Sequence, residues 1–217
     1  MGYEYRAGSR NNQALLLEAA SKTWQDVAEG RAPALEALSK LCSAVDADAA
    51  ALTRYDPKHT LAGKVTAFDR RPEGAFVPKL KKSFALAVLG TYAGKARKGT
   101  VWTSSAVEDL HPELQDFQER RDFRELIVIP LEGLDLGSDY LELHFHYELS
   151  TSRLAMLETL APELSQSWSY RNLGSFFELS LSKRRFGELP IGPILSSDNP
   201  AGLSRTEYRV CLLLSVG

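Results

Sequence analysis

Between Ala14 and Trp168 the hydrophobic positions follow two periods in turn. Helical spacing comes first, over Ala14–Glu29 and Pro33–Val45; in the second stretch Leu35, Leu38, Leu41, Cys42 and Val45 recur on it. Pro33 suits a first helical turn, where a missing N–H costs no bond. Ala49–Tyr55 is small and apolar and predicts a strand closed by the turn pair Asp56-Pro57, with Leu61–Phe68 as its hairpin partner. Lys79–Gly94 returns to helical spacing, with Leu80, Phe84, Ala87, Val88 and Tyr92 on one side. Gly99–Thr103 predicts a short strand and Glu113–Arg121 a short charged helix whose Asp116, Glu119, Arg120 and Arg121 form a solvated face. The clearest strands are Glu125–Pro130 and Tyr140–Tyr147, joined by a turn over Glu132–Ser138. A helix capped by Thr151 or Ser152 then runs through Leu154, Leu157 and Leu160 toward Trp168.

This order predicts an α+β fold with a central antiparallel sheet and helices on both sides. Residues 1–12 form a polar, flexible N-terminus, 13–171 the α+β body, 172–202 a connector rich in Pro, Gly and Asn, and 203–217 a final isolated helix. The 217 residues suit one domain with an appendage, and a net charge of -2 argues against a broad nucleic-acid surface. No apolar run is long enough to cross a bilayer, and the N-terminus lacks the order of a signal peptide, so a cytoplasmic protein with no membrane partner is expected. Cys42 and Cys211 sit in apolar helical patterns and are expected to be buried free thiols.

In the final helix, Ser204 and Glu207 make a capping box, Val210, Leu213 and Leu214 make an apolar stripe, and Gly217 is a natural stop. The spacing of Leu203, Ser204, Glu207, Val210, Leu213 and Gly217 resembles the first helix of a LuxR-family helix-turn-helix; Thr206, where the family often has Arg, is a departure. The resemblance implies a transcription regulator whose base-reading helix would follow Gly217, so DNA would be contacted only through that further region. It also implies a homodimer, because such regulators bind paired half-sites. Leu157, Leu160, Leu164 and Trp168 are the expected dimer contacts. Lys183-Arg184-Arg185 reads as solvated linker charge.

Ala34–Tyr170 resembles a GAF domain. The resemblance is carried by Leu41–Tyr55, a helix running into a strand of small residues, by Leu-Ile-Val-Ile-Pro-Leu and Leu-Glu-Leu-His within Glu125–His144, and by the closing helix with Ala161 and Pro162. A PAS or autoinducer-binding α+β domain is the alternative. GAF-like architecture implies a small-ligand pocket on one sheet face beneath the irregular middle, Arg70–Phe123, with the terminal helices on the other face. Phe84, Tyr92, Trp102 and Phe123 are candidate ligand contacts, with Phe76 and Phe117 nearby in sequence. Alternation along the last strand adds Glu142 and His144, placing them with His146 opposite Leu141, Leu143 and Phe145, on a face that is solvated or lines a pocket. No zinc or haem ligand spacing accompanies these histidines, so neither a metal nor a cofactor is expected, only a small-molecule effector. No cysteine lies between Val45 and Val210 to hold a bilin, and the Asn-Lys…Phe…Asp-Glu pattern of cyclic-nucleotide GAF domains is missing. Ser83, Ser104 and Ser105 lack a nucleophile-elbow pattern and no phosphate-cradling loop occurs, so no catalytic residue is assigned and an enzyme is not expected. The competing function is a stand-alone sensory or dimerisation module without a DNA-binding role.

Overall fold

In the computed structural model, which describes residues 3–55, 65–71, 80–134 and 137–171, the small-residue strand β1 (Ala49–Tyr55) lies between β2 (Val65–Asp69) and β5 (Gly137–Phe145). Beyond β5 come β4 (Glu125–Leu134) and the two-residue edge strand β3 (Trp102–Thr103). The order is β2-β1-β5-β4-β3, and every pairing is antiparallel. Helices α2 (Ala34–Val45) and α5 (Thr151–Ser169) pack on the sheet, and α1 (Tyr3–Ala28) packs on both of them. Helices α3 (Ala85–Leu89) and α4 (Pro112–Arg121), with two short 3-10 turns, cover the opposite face. The α+β layout with helices on both sides is the expected one.

Strand alternation sorts the core. Ala49, Ala51, Leu126, Val128 and Tyr140 meet Phe84, Phe117 and Phe123 on the α3/α4 side. Ile127, Ile129, Leu141, Leu143 and Phe145 are buried on the other side. There, Trp24 and Trp168 stack with centroids 5.2 Å apart, and Trp24 Nε1 donates to the Leu164 carbonyl at 2.9 Å. Each fully buried Leu contributes about 1.5–3 kcal/mol. Helices α2 and α4 both end on aspartates in the left-handed region, Asp46 (φ 59) and Asp122 (φ 52), where a short polar side chain is tolerated. Cys42 is a buried free thiol, and burial pushes its pKa up to about 12. Cys211 lies outside the described residues.

Several elements differ from expectation for identifiable reasons. Helix α1 starts at Tyr3, inside the stretch expected to be flexible; extending a helix already packed fixes one residue per bond gained. Leu35 is 51% exposed, off the buried face that Ala34, Ala37, Leu38, Leu41 and Cys42 define. The long helix expected over Lys79–Gly94 shrinks to Ala85–Leu89, because a buried carboxyl captures the N–H groups of Phe84 and Ala85 and the turn closes at Gly90 (φ 52). β4 and β5 continue through the expected turn to the pair Leu134↔Gly137. A register shift between Pro130 and Glu132 absorbs the proline, which has no N–H for the ladder. Ser150, rather than Thr151 or Ser152, caps α5, accepting from Arg153 N at 3.4 Å. The charged helix α4 is only partly solvated: Arg120 pairs with Asp116 outside, while the Arg121 side chain is 3% exposed and pairs with Asp69.

Gly99 is held where no side chain fits. Its φ is +69°, its N–H donates to the Pro130 carbonyl at 2.8 Å, and a Cβ there would meet the backbone of Pro162 at 2.8 Å. Gly94, also left-handed at φ +76°, would meet only Ser138 Oγ at 3.8 Å. Urea denaturation should therefore show Gly99→Ala destabilised by roughly 3 kcal/mol and Gly94→Ala by only about 1 kcal/mol. Equal losses would show that the contact with α5 adds nothing beyond the backbone conformation.

Candidate functional site

The six expected ligand contacts fall into two separate groups. Phe84, Phe123, Glu142 and His144 are brought together in the interior, none more than 4% exposed. Tyr92 and Trp102 pair at the surface, ring centroids 5.4 Å apart, with Tyr92 60% exposed.

The interior group is built on β5. Glu142 sits opposite Ala51 and Val128, and His144 opposite Ala49 and Leu126, so small neighbours on β1 leave room for aromatic rings above them. The Glu142 carboxyl accepts from Phe84 N and Ala85 N, each at 3.0 Å, from Thr53 Oγ1 at 3.4 Å and from the Ser83 hydroxyl. Its acceptor sites are thus used by α3. His144 is wholly buried between Phe117 and Phe123, with centroids at 5.8 and 5.2 Å. Its Nε2 is 3.7 Å from Glu142 Oε2, and neither ring nitrogen makes a hydrogen bond among the described residues. The row expected to be solvated or to line a pocket is packed core: aromatic rings from α4 and from Phe123 close over it. His146 does not share it; β5 has ended, and the exposed His146 ring contacts Asp48 at 2.7 Å. Among the described residues no cluster of His, Cys, Asp or Glu gathers as for a metal ion.

The surface group lines an open groove of about 360 Å³ beside the edge strand β3. Val88, Leu89, Val101 and Val107 form its walls with Tyr92 and Trp102, Thr91 and Thr103 add hydroxyls, and no charged residue lines it. Trp102 Nε1 is tied down by Thr100 Oγ1 at 2.9 Å. Its lining offers aromatic and apolar surface and no charged group that could partner an ion. Phe76 lies outside the described residues.

A second depression, about 700 Å³, runs between α1 and α5 with Leu160, Leu164 and Met156 among its lining and Glu18, Lys22 and Glu163 also bordering it. Of the expected dimer contacts, Leu157 and Trp168 are each 1% exposed, sealed within their own chain. Leu160 and Leu164 border the depression and are also almost fully buried. Leu203, Ser204, Glu207, Val210, Leu213 and Gly217 lie outside the described residues.

One charged cluster was not anticipated. Asp139, 1% exposed, accepts from Arg54 Nε at 2.7 Å, from Arg54 Nη2 and Trp168 Nε1 at 2.9 and 3.0 Å, and pairs with Arg171 Nη2 at 3.0 Å. Arg171 also pairs with Glu132, which takes a second bond from Lys98 Nζ at 3.1 Å. A signal for it existed: Asp139 falls in the phase of Leu141, Leu143 and Phe145, and Arg54 in that of Ala50 and Leu52, so opposite charges occupy apolar positions of two neighbouring strands.

No family model matches this chain, and no curated protein matches it. Solved structures similar to it include the GAF domain of a phosphoenolpyruvate-protein phosphotransferase from Coxiella burnetii, 16% identical, covering 73% of this chain and 94% of that one at a TM-score of 0.44. Others are a GAF domain/HD domain protein from Geobacter sulfurreducens (15%, 67% and 93%, TM-score 0.44) and the blue-light absorbing form of the Thermosynechococcus elongatus PixJ GAF domain (12%, 77% and 93%, TM-score 0.42). The layout described above stands on strand order and helical layers, and these likenesses concern the fold alone.

Two outcomes follow from this chemistry. His144→Leu removes two buried nitrogens that make no hydrogen bond and keeps most of the volume, so chemical denaturation should show it unchanged or more stable by about 1 kcal/mol. A loss above 1 kcal/mol would mean that the His144–Glu142 contact holds the core. For Glu132, burial opposes the charge, but hydrogen bonds from Arg171 and Lys98 outweigh it and hold the carboxyl below the usual carboxylate range. A lowered folded-state pKa contributes stability that is present above the unfolded value and lost as pH falls through the folded one. Melting temperature should thus fall on acidification into the carboxylate range, with a shallower slope in Glu132→Gln; an identical slope would assign the acid sensitivity to other groups.

Proposed function

We propose that this chain is the small-molecule-sensing part of a LuxR-type transcription regulator, with the Tyr92–Trp102 groove as its ligand surface. The observation that carries the sensing half is the uncharged aromatic groove of about 360 Å³ on the irregular side of the sheet, next to a buried polar row already satisfied by, or sealed beneath, protein groups. The ligand class is a neutral aromatic or apolar compound, since nothing lining the groove would neutralise a charge. The regulatory half is supported by the Leu203–Gly217 motif, and it makes the protein a non-enzymatic homodimer acting on DNA through helices beyond that motif. The α1/α5 depression is the face available for pairing of two copies. Among the described residues no helix is long and apolar enough to cross a membrane.

Fluorescence tests the groove directly. Trp24 and Trp168 are each 1% exposed, so Trp102 is the one of the chain's three tryptophans that borders the groove. A neutral naphthylamine dye should bind with energy transfer from Trp102. Trp102→Phe should reduce that signal, and Tyr92→Ala should weaken dye binding about ten-fold, the loss of one aromatic contact worth ~1.4 kcal/mol. Dye binding untouched by both substitutions would refute the groove as the site. The reading frame downstream of Gly217 tests the regulatory half, which a continuation without a helix-turn-helix would refute.

A further inference from the structure

The segment between the two groove aromatics, Ala93–Val101, touches the rest of the domain at a few defined points. Gly94 N–H donates to the Tyr140 hydroxyl at 3.1 Å. Gly99 N–H donates to the Pro130 carbonyl at 2.8 Å, and the Gly99 backbone lies against Pro162 in the middle of α5. Lys98 Nζ reaches Glu132 at 3.1 Å. The other oxygen of that carboxylate holds Arg171, two residues past the end of α5 and the last residue before the connector. Arg171 also lies over the Trp168 ring at 5.3 Å, donates to the Trp168 carbonyl at 3.2 Å and pairs with Asp139.

Glu132 thus has one oxygen on the loop that frames the groove and the other on the end of α5. Its backbone follows the β4 irregularity, where the strand departs from strict register, and a bulge re-aims the side chain beside it. The two partners differ in kind. Lys98 is 47% exposed, so its pair with Glu132 is weak and easily exchanged for water; the Arg171 side chain is 3% exposed, so its pairing is not. A loop displacement of an ångström or two breaks the first contact and leaves the Glu132 carboxyl held on one side only, so that it positions Arg171 less firmly.

We infer that Lys98, Glu132 and Arg171 form a coupling relay in which Glu132 is the positioning residue: it reads the position of the groove loop through Lys98 and sets how firmly Arg171 is held just past the end of α5. Its use as a signal path rests on the groove being the sensing surface; the coupling itself does not. Asp139 keeps Arg171 in place in either setting, so the relay modulates the clamp without releasing α5 altogether.

Trypsin reads the relay without any ligand. Cleavage after Arg171 requires its side chain to leave the clamp, whereas Arg31, with its side chain 56% exposed in the turn after α1, reports on unrelated opening. In the 217-residue chain, the Arg171–Asn172 bond should be cut slowly, with products identified by mass. Lys98→Met should accelerate that cut roughly three-fold, the size expected for a half-exposed ion pair, and Glu132→Gln roughly ten-fold or more. The double variant should cut no faster than Glu132→Gln alone, because Lys98 acts only through Glu132. Cleavage after Arg31 should be unchanged throughout. Lys98→Met cutting at the wild-type rate, or effects that simply multiply in the double variant, would overturn the relay. If Glu132→Gln speeds cleavage everywhere it has loosened the fold, and Lys98→Met, a surface change, then decides alone. A failed dye experiment with a positive protease result refutes the groove and leaves the coupling; the reverse refutes the coupling and leaves the groove.

Discussion

Burying a carboxylate costs several kcal/mol unless donors surround it, and Asp139 meets that condition with partners from separate parts of the chain. Arg54 comes from β1, Trp168 from α5 and Arg171 from just beyond it. The same contacts fix the sheet centre, the Trp24–Trp168 pair and the end of α5. Remove the carboxylate and the donors aimed at it lose their common acceptor, so strand pairing and helix docking weaken together. Hydrophobic burial supplies more total stabilisation here, yet it is non-directional, and the register of α5 against β5 needs a directional contact.

β5 shows how one strand serves two layers. Asp139 lies on the α5 side and Glu142 on the α3 side, three residues apart and therefore on opposite faces. Each carboxyl organises what covers it: Asp139 anchors the end of α5, and Glu142 starts the short helix that carries one wall of the groove. The interior polar row and the surface aromatic groove are connected for that reason, since α3 is pinned at its beginning by Glu142 and presents Val88 and Leu89 to the groove at its end.

Periodicity made the large elements legible. The helices through Leu38–Val45 and Leu157–Trp168, the small-residue strand and the β4/β5 pair all follow spacings that survive in the structure. What was not legible depended on contacts distant in sequence. Lys79–Gly94 carries a helical pattern, but its N–H groups are claimed by a glutamate 57 and 58 residues away. Glu142 and His144 were correctly placed on one face by alternation, yet alternation cannot say whether a face is covered, and Phe117 and Phe123 cover this one. Tyr92 and Trp102 stand out in the sequence as aromatics of the irregular middle, and their ring pair forms only because α3 ends early and the chain turns back to β3.

The division between an inner and an outer group also bears on which residues a ligand meets. A guest entering the inner row would have to displace Phe84, Phe117 and Phe123 from a closely packed cluster and replace the bonds that Glu142 already receives, each loss being felt at full cost in a dry interior. A guest in the groove displaces only water from Val, Leu, Tyr and Trp surfaces, and the segment it presses on is the one whose glycines and Lys98 already rest on β4, β5 and α5. The lower cost of entry and the shorter mechanical path therefore coincide at the same surface. For the proposed sensing role this favours Tyr92 and Trp102 over Glu142 and His144 as ligand contacts, with the buried pair holding the floor on which the groove is built.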